Sequence, residues 1–153
     1  TEIYTLSLHD ALPISFMVQN SPGGGQVVAY NADGTPNSPG NPAVRGSEVT
    51  LMLIGYGRIE GAPEDGTAAE VEVPMAGILF VGVEVQALSS TLDPAAPGVW
   101  KIRAKLHDMI VGQAGNNYQV PVALLYKDIL SNQTPYSING AFGKIVTSIA
   151  IKP

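Results

Sequence analysis

From residue 26 to its last residue the chain repeats one pattern: a short run with apolar residues at every second position, closed by a cluster of Gly, Pro or Asn. A period of two marks strands buried on one face, whereas a helix would show a 3.6-residue period with caps, which no stretch offers. The cleanest run is residues 99–106 (VWKIRAKL). Trp100, Ile102, Ala104 and Leu106 fall on one face and Lys101, Arg103 and Lys105 on the other, as in a half-buried antiparallel strand. Residues 26–31 (QVVAYN) read as a strand ending in the turn signal Ala32-Asp33-Gly34. Residues 48–54 (EVTLMLI) are apolar on both faces beyond Thr50 and read as a central strand.

The remaining segments follow the same logic. Residues 35–46 hold three Pro and read as an ordered loop, since Pro cannot donate to a ladder. Residues 55–67 form a Gly-rich loop. Residues 69–73 alternate, with Glu70 and Glu72 on one face, and residues 78–88 form one strand or two, broken near Gly82. Residues 89–98 read as a loop. Residues 119–126 (QVPVALLY) form a strand whose start Pro121 pushes toward an edge or a bulge. A polar loop over 131–143 precedes the terminal strand 144–152, with Ile145, Thr147, Ile149 and Ile151 on one face. Short strands between turn signals predict an all-β fold, an antiparallel β-sandwich of about seven or eight strands.

Composition narrows the function classes. The chain has 153 residues and a hydrophobic fraction of 45%, enough for one domain with a substantial core. Its 17 Gly and 12 Pro make up nearly a fifth of the residues, against roughly 12% in average proteins, which fits a turn-rich fold. With no Cys, disulfides, thiolate metal sites and Cys nucleophiles are excluded. A net charge of -5 argues against nucleic acid as a partner. The longest apolar run, residues 76–83, is too short to span a bilayer.

The first fifteen residues, TEIYTLSLHDALPIS, stand apart. Read as codons, the stretch from Glu2 to Ile14 resembles, without a mismatch, one frame of a common sequencing-library adapter. The expectation is that residues 1–15 are adapter-derived and lie outside the fold, that residues 16–153 form a single domain, and that the natural chain begins upstream of Phe16. His9 falls within this stretch.

A family resemblance rests chiefly on residues 31–57. They carry Asn31, Asp33-Gly34-Thr35, Asn37-Ser38-Pro39, Asn41-Pro42-Ala43, Arg45-Gly46-Ser47 and Gly55-Tyr56-Gly57. Gly82-Val83, the run from Ala96 to Ile102, and Val120-Pro121-Val122 with Ser131-Asn132 add to it. Together these resemble the Solibacter-type carboxy-terminal domain family of large secreted acidobacterial proteins. The resemblance implies an immunoglobulin-like sandwich at the carboxy-terminus of a secreted or surface protein, with preceding Ig-like domains of the same parent as partners. The family has no established catalytic residues, so it supplies none here.

Candidate sites are few. Asn31, Asp33 and Asn37 place three side-chain oxygens in one loop, as Ca²⁺ prefers. An EF-hand frame fails, because the twelfth position counted from Asn31 is Pro42 and from Asp33 is Val44. The competing reading is side-chain bonding that orders a Pro-rich turn. Tyr56, Glu60, Glu64, Asp65 and Tyr136 sit in loops and are the candidates for contact with a polysaccharide or a surface protein. His107 stands beside Asp108, with no Gly-x-Ser-x-Gly elbow in the chain, and reads as solvent-exposed. The basic stripe Lys101, Arg103 and Lys105 is expected to pair with Glu70, Glu72 or Glu84 on a neighbouring strand. Trp100, on the opposite face, is expected in the core. The functional expectation is a non-catalytic extracellular Ig-like structural or assembly module with no cofactor, the alternative being an adhesion module that binds through its loops.

Overall fold

A strand apolar on one face must bury it against another layer, and this chain does so by packing two sheets into a sandwich. The computed structural model describes residues 15–16, 18–21, 24–55, 77–81, 83–96, 98–126, 129–130 and 147–153. In chain order the strands are β1 (Ser15–Phe16), β2 (Val18–Ser21), β3 (Gly24–Val27), β4 (Ala29–Asn31), β5 (Ala43–Val44), β6 (Glu48–Ile54) and β7 (Gly77–Phe80). They continue with β8 (Val83–Val85), β9 (Ala87–Leu92), β10 (Trp100–Lys105), β11 (Gln119–Tyr126), β12 (Ile129–Leu130) and β13 (Thr147–Lys152). A 3-10 turn, Ala114–Asn116, precedes β11. Residues 1–14 lie outside the described residues; Ser15, the last of the adapter-like stretch, pairs with Ile54.

The first sheet runs β1-β6-β10-β9, with β4 also on β6. The second runs β2-β3-β13-β11-β7-β8, with β5 also on β13 and β12 on β11. All pairings are antiparallel except those of β3 and β5 with β13, which are parallel. The core between the sheets includes Leu51, Leu53, Trp100 and Ile102 from the first and Ile78, Phe80, Val122, Leu124, Ile149 and Ile151 from the second. The indole of Trp100 is buried, as expected, and its Nε1–H donates to Ser90 Oγ at 2.8 Å, so the ring enters the core with its one polar group satisfied.

The count of seven or eight strands is corrected to thirteen segments among the described residues, three of them two residues long. The main reason is sheet crossing. The strand expected over 26–31 breaks at Val28, so that β3 joins the second sheet and β4 the first. The Val27, Ala29 pair keeps facing the core on both sides of the break, and periodicity therefore gives no sign of it. The stretch 78–88 divides into β7, β8 and the start of β9, which also belongs to the first sheet. The loop expected over 89–98 is strand as far as Leu92. The Pro-rich loop includes the two-residue β5, paired with Ile151 and Lys152.

Strand β11 is central, flanked by β13 and β7, so of the edge or bulge expected at Pro121 the edge is not what forms. The β13 ladder includes Pro121, opposite Ser148, and the β7 ladder starts at Val122. The residue without an N–H thus stands where one ladder ends and the other begins, while its carbonyl accepts from Val81 N at 3.0 Å. Before β11, residues 112–118 fold against β13. Gly112 N donates to Ile151 O at 2.8 Å and Ile151 N to Tyr118 O at 2.9 Å. A Cβ at position 112 would lie 2.0 Å from Tyr118 O, so only glycine permits this approach.

Candidate functional site

The loop between β4 and β5 contains the densest polar cluster among the described residues. Its first turn is set by Gly34, at φ +80°, a left-handed conformation that glycine adopts without a Cβ penalty. Gly34 N donates to Asn31 O at 2.9 Å and Asn31 N to Thr35 O at 2.8 Å. Asp33 Oδ1 accepts from Thr35 N at 2.9 Å and from Thr35 Oγ1 at 2.6 Å. These two bonds, the hydroxyl's first, hold the exposed Asp33 carboxyl below the usual carboxylate range. Asn41 Nδ2 donates to Thr35 Oγ1 at 2.8 Å and to Pro36 O at 3.0 Å, and Asn31 Nδ2 reaches Asn41 O at 3.0 Å.

At the centre of the loop Asn37 is 0% exposed. Its Oδ1 accepts from Ala150 N at 2.9 Å and from Gln26 Nε2 at 3.0 Å. Its Nδ2 donates to Ala150 O at 2.8 Å and to Asn31 Oδ1 at 2.9 Å. A carboxamide has two donor hydrogens and two acceptor lone pairs, and here all four are used. Toward Ala150 the side chain behaves as a peptide group would, taking one bond and giving one. It occupies the stretch of the β13 edge between the rungs to β3, at Thr147 and Ser148, and those to β5, at Ile151 and Lys152.

The polar line continues inward. Gln119 Nε2 donates to Gln26 Oε1 at 2.8 Å, and Ser148 Oγ donates to Gln119 Oε1. Thr147 Oγ1 donates to Val122 O at 2.7 Å. No buried side-chain nitrogen or oxygen among the described residues lacks a partner. Such a network, fully satisfied, fixes one arrangement of the strands it joins. Gln26, Gln119 and Ser148 were not singled out by sequence, although Gln26 directly precedes the apolar run Val27-Val28-Ala29, and a polar side chain buried there needs partners.

Of the sequence candidates, the structure brings Asn31, Asp33 and Asn37 into this one loop. The Oδ1 atoms of all three accept hydrogen bonds from protein donors, which is the turn-ordering arrangement. No group of three or more His, Cys, Asp or Glu side chains among the described residues could hold a metal ion. Tyr56, Glu60, Glu64, Asp65 and Tyr136 lie outside the described residues. His107 is exposed, and its Nδ1 accepts from Met109 N at 3.2 Å.

Two residues of the basic stripe pair with acids of their own sheet. Lys101 Nζ is 3.8 Å from Asp93 Oδ1, and Arg103 Nη2 is 2.6 Å from Glu48 Oε2. Both acids border β10 within its own sheet: Glu48 begins β6 and Asp93 follows β9. Glu84 lies on β8 in the other sheet, and Glu70 and Glu72 lie outside the described residues. No helix among the described residues is long and apolar enough to cross a membrane. No family model, curated protein or solved structure matches the chain.

Proposed function

We propose that this chain is a non-catalytic, immunoglobulin-like structural module of a larger secreted or surface protein of bacterial origin, placed at its carboxy-terminus. The strand order supports the Ig-like reading. β4-β6-β10-β9 follows the order of an ABED sheet, and β7-β11-β13 that of a CFG sheet, with β8 added beyond β7. Antibody domains join the strands equivalent to β6 and β11 by a disulfide; this chain has no Cys and relies on core packing at Leu51, Leu53, Val120 and Val122.

The observation that carries the structural role is the Asn37 loop. Its most distinctive polar groups are directed at the module's own strands, with Asn37 fully enclosed and bonded to Ala150 on both N and O. A recognition loop would present such groups outward; this one spends them on rigidity. Preceding Ig-like domains of the same parent are the expected partners.

The test is to sequence the source DNA across the 5′ end of the gene with long, adapter-trimmed reads. A signal peptide and further Ig-like domains upstream are expected. A gene that encodes this domain alone, without export signals, would overturn the reading. Retention on polysaccharide in affinity electrophoresis, abolished by Tyr56→Ala or Tyr136→Ala with unchanged stability, would replace it with the adhesion-module alternative.

A further inference from the structure

One edge of β13 is held by three separate pieces of chain. β3 pairs with it in parallel at Thr147 and Ser148, the Asn37 carboxamide bonds Ala150, and β5 pairs in parallel at Ile151 and Lys152. Arg45 N closes the row by donating to Lys152 O at 3.0 Å. Asn37, Ala150 and Ala43 at the middle of this row are buried, so water does not readily replace a stretched bond there until the strands have slid; Arg45 and Lys152 at its end are exposed.

Parallel pairing decides how this row meets tension. When the two ends of the chain are pulled apart, β3 is drawn toward its start and β13 toward its end, and β13 is drawn past Asn37 and β5, which bond the same edge. The strands are sheared along their length, and every bond of the row is strained together. An antiparallel pair pulled at adjacent ends opens one rung at a time. β2, antiparallel to β3, would peel in that way and leave the row to take the force.

We propose that this row is a tension-resisting seam, with Asn37 as its central bolt, and that it lets the module transmit pull through a surface protein. The proposal rests on the structural-module reading and adds a direction of force to it. Asn37 extends the seam across the gap in the ladder. Without it, the β3 and β5 rungs would be isolated pairs that fail in turn.

The chain has no Cys, so introduced cysteines serve as unique handles for single-molecule pulling of the full chain. One protein carries handles at its two ends. The other carries Asn116→Cys and a cysteine after Pro153, which load the β11–β13 pair from the same end. The end-to-end unfolding force is expected to exceed the second by roughly twofold or more, since several hydrogen bonds must yield together. Asn37→Ala is expected to lower the end-to-end force toward the second value and to change the second little. Equal forces in the two directions would overturn the proposal. So would an Asn37→Ala protein that melts at lower temperature yet loses equal force in both directions, which is the result of a merely structural role. If Asn37→Ala does not fold, the two directions in the unsubstituted chain decide alone. A strong seam in a gene that encodes no larger surface protein would overturn the structural-module reading while leaving the seam intact.

Discussion

Trp100 and Asp33 are opposite cases of a side chain fixed by one neighbour. Trp100 is enclosed, with its N–H on Ser90, and Trp100→Ala is expected to cost about 3–5 kcal/mol in urea unfolding. A loss under about 0.5 kcal/mol would place the ring at the surface. Asp33 is exposed and titrates below its ordinary value of 3.8 because Thr35 bonds its charged form. A lowered folded pKa means that the unfolded state binds the proton first. The contribution of Asp33 is therefore complete above the ordinary value and is lost as pH falls through the lower folded one. Asp33→Asn is expected to flatten that part of the acid unfolding curve, and an unchanged curve between the two proteins would refute the coupling. Trp100 was legible from sequence because alternation alone assigns its face. The burial of Asn37 was not, because Asn between Pro residues ordinarily signals an exposed turn, and its partner Ala150 lies 113 residues away.

Among the elements, β6, β10 and β13 could be read directly, since β10 and β13 keep one apolar face over six residues and β6 is apolar on both faces beyond Thr50. β9 could not, because Ser89-Ser90-Thr91 look like loop chemistry until the Trp100 indole supplies the buried Ser90 with a partner. The basic stripe could be seen but its partners could not, since pairing across a sheet depends on strand order. The β7–β8 hairpin carries an element-level cost. Phe80 pairs with Val83, which leaves a two-residue connection, and Val81 within it has φ 51°. A β-branched residue there is strained, whereas Asn adopts this conformation readily in such turns. Val81 is also 62% exposed, so little packing is lost by replacing it. Val81→Asn is expected to raise stability by about 1 kcal/mol. A fall in the urea midpoint would show that the Val81 side chain contributes contacts outweighing the strain.

For the whole molecule, the sandwich class was legible in the period of two, while its closure was not. Closure depends on β13, which supplies Ile149 and Ile151 to the core and bonds to β3, Asn37, β5 and β11. Deleting residues 148–153 is expected to abolish cooperative thermal unfolding, because it strips Asn37 and Gln119 of partners and opens the core. A shortened chain that still melts in one sharp transition would contradict this. The same arrangement governs folding in time. A ribosome releases residue 37 long before residue 150, so every early segment that ends against the last strand must wait for it. The nascent chain cannot complete its second sheet until β13 has emerged, and until then β3, Asn37 and β5 have no edge to close against.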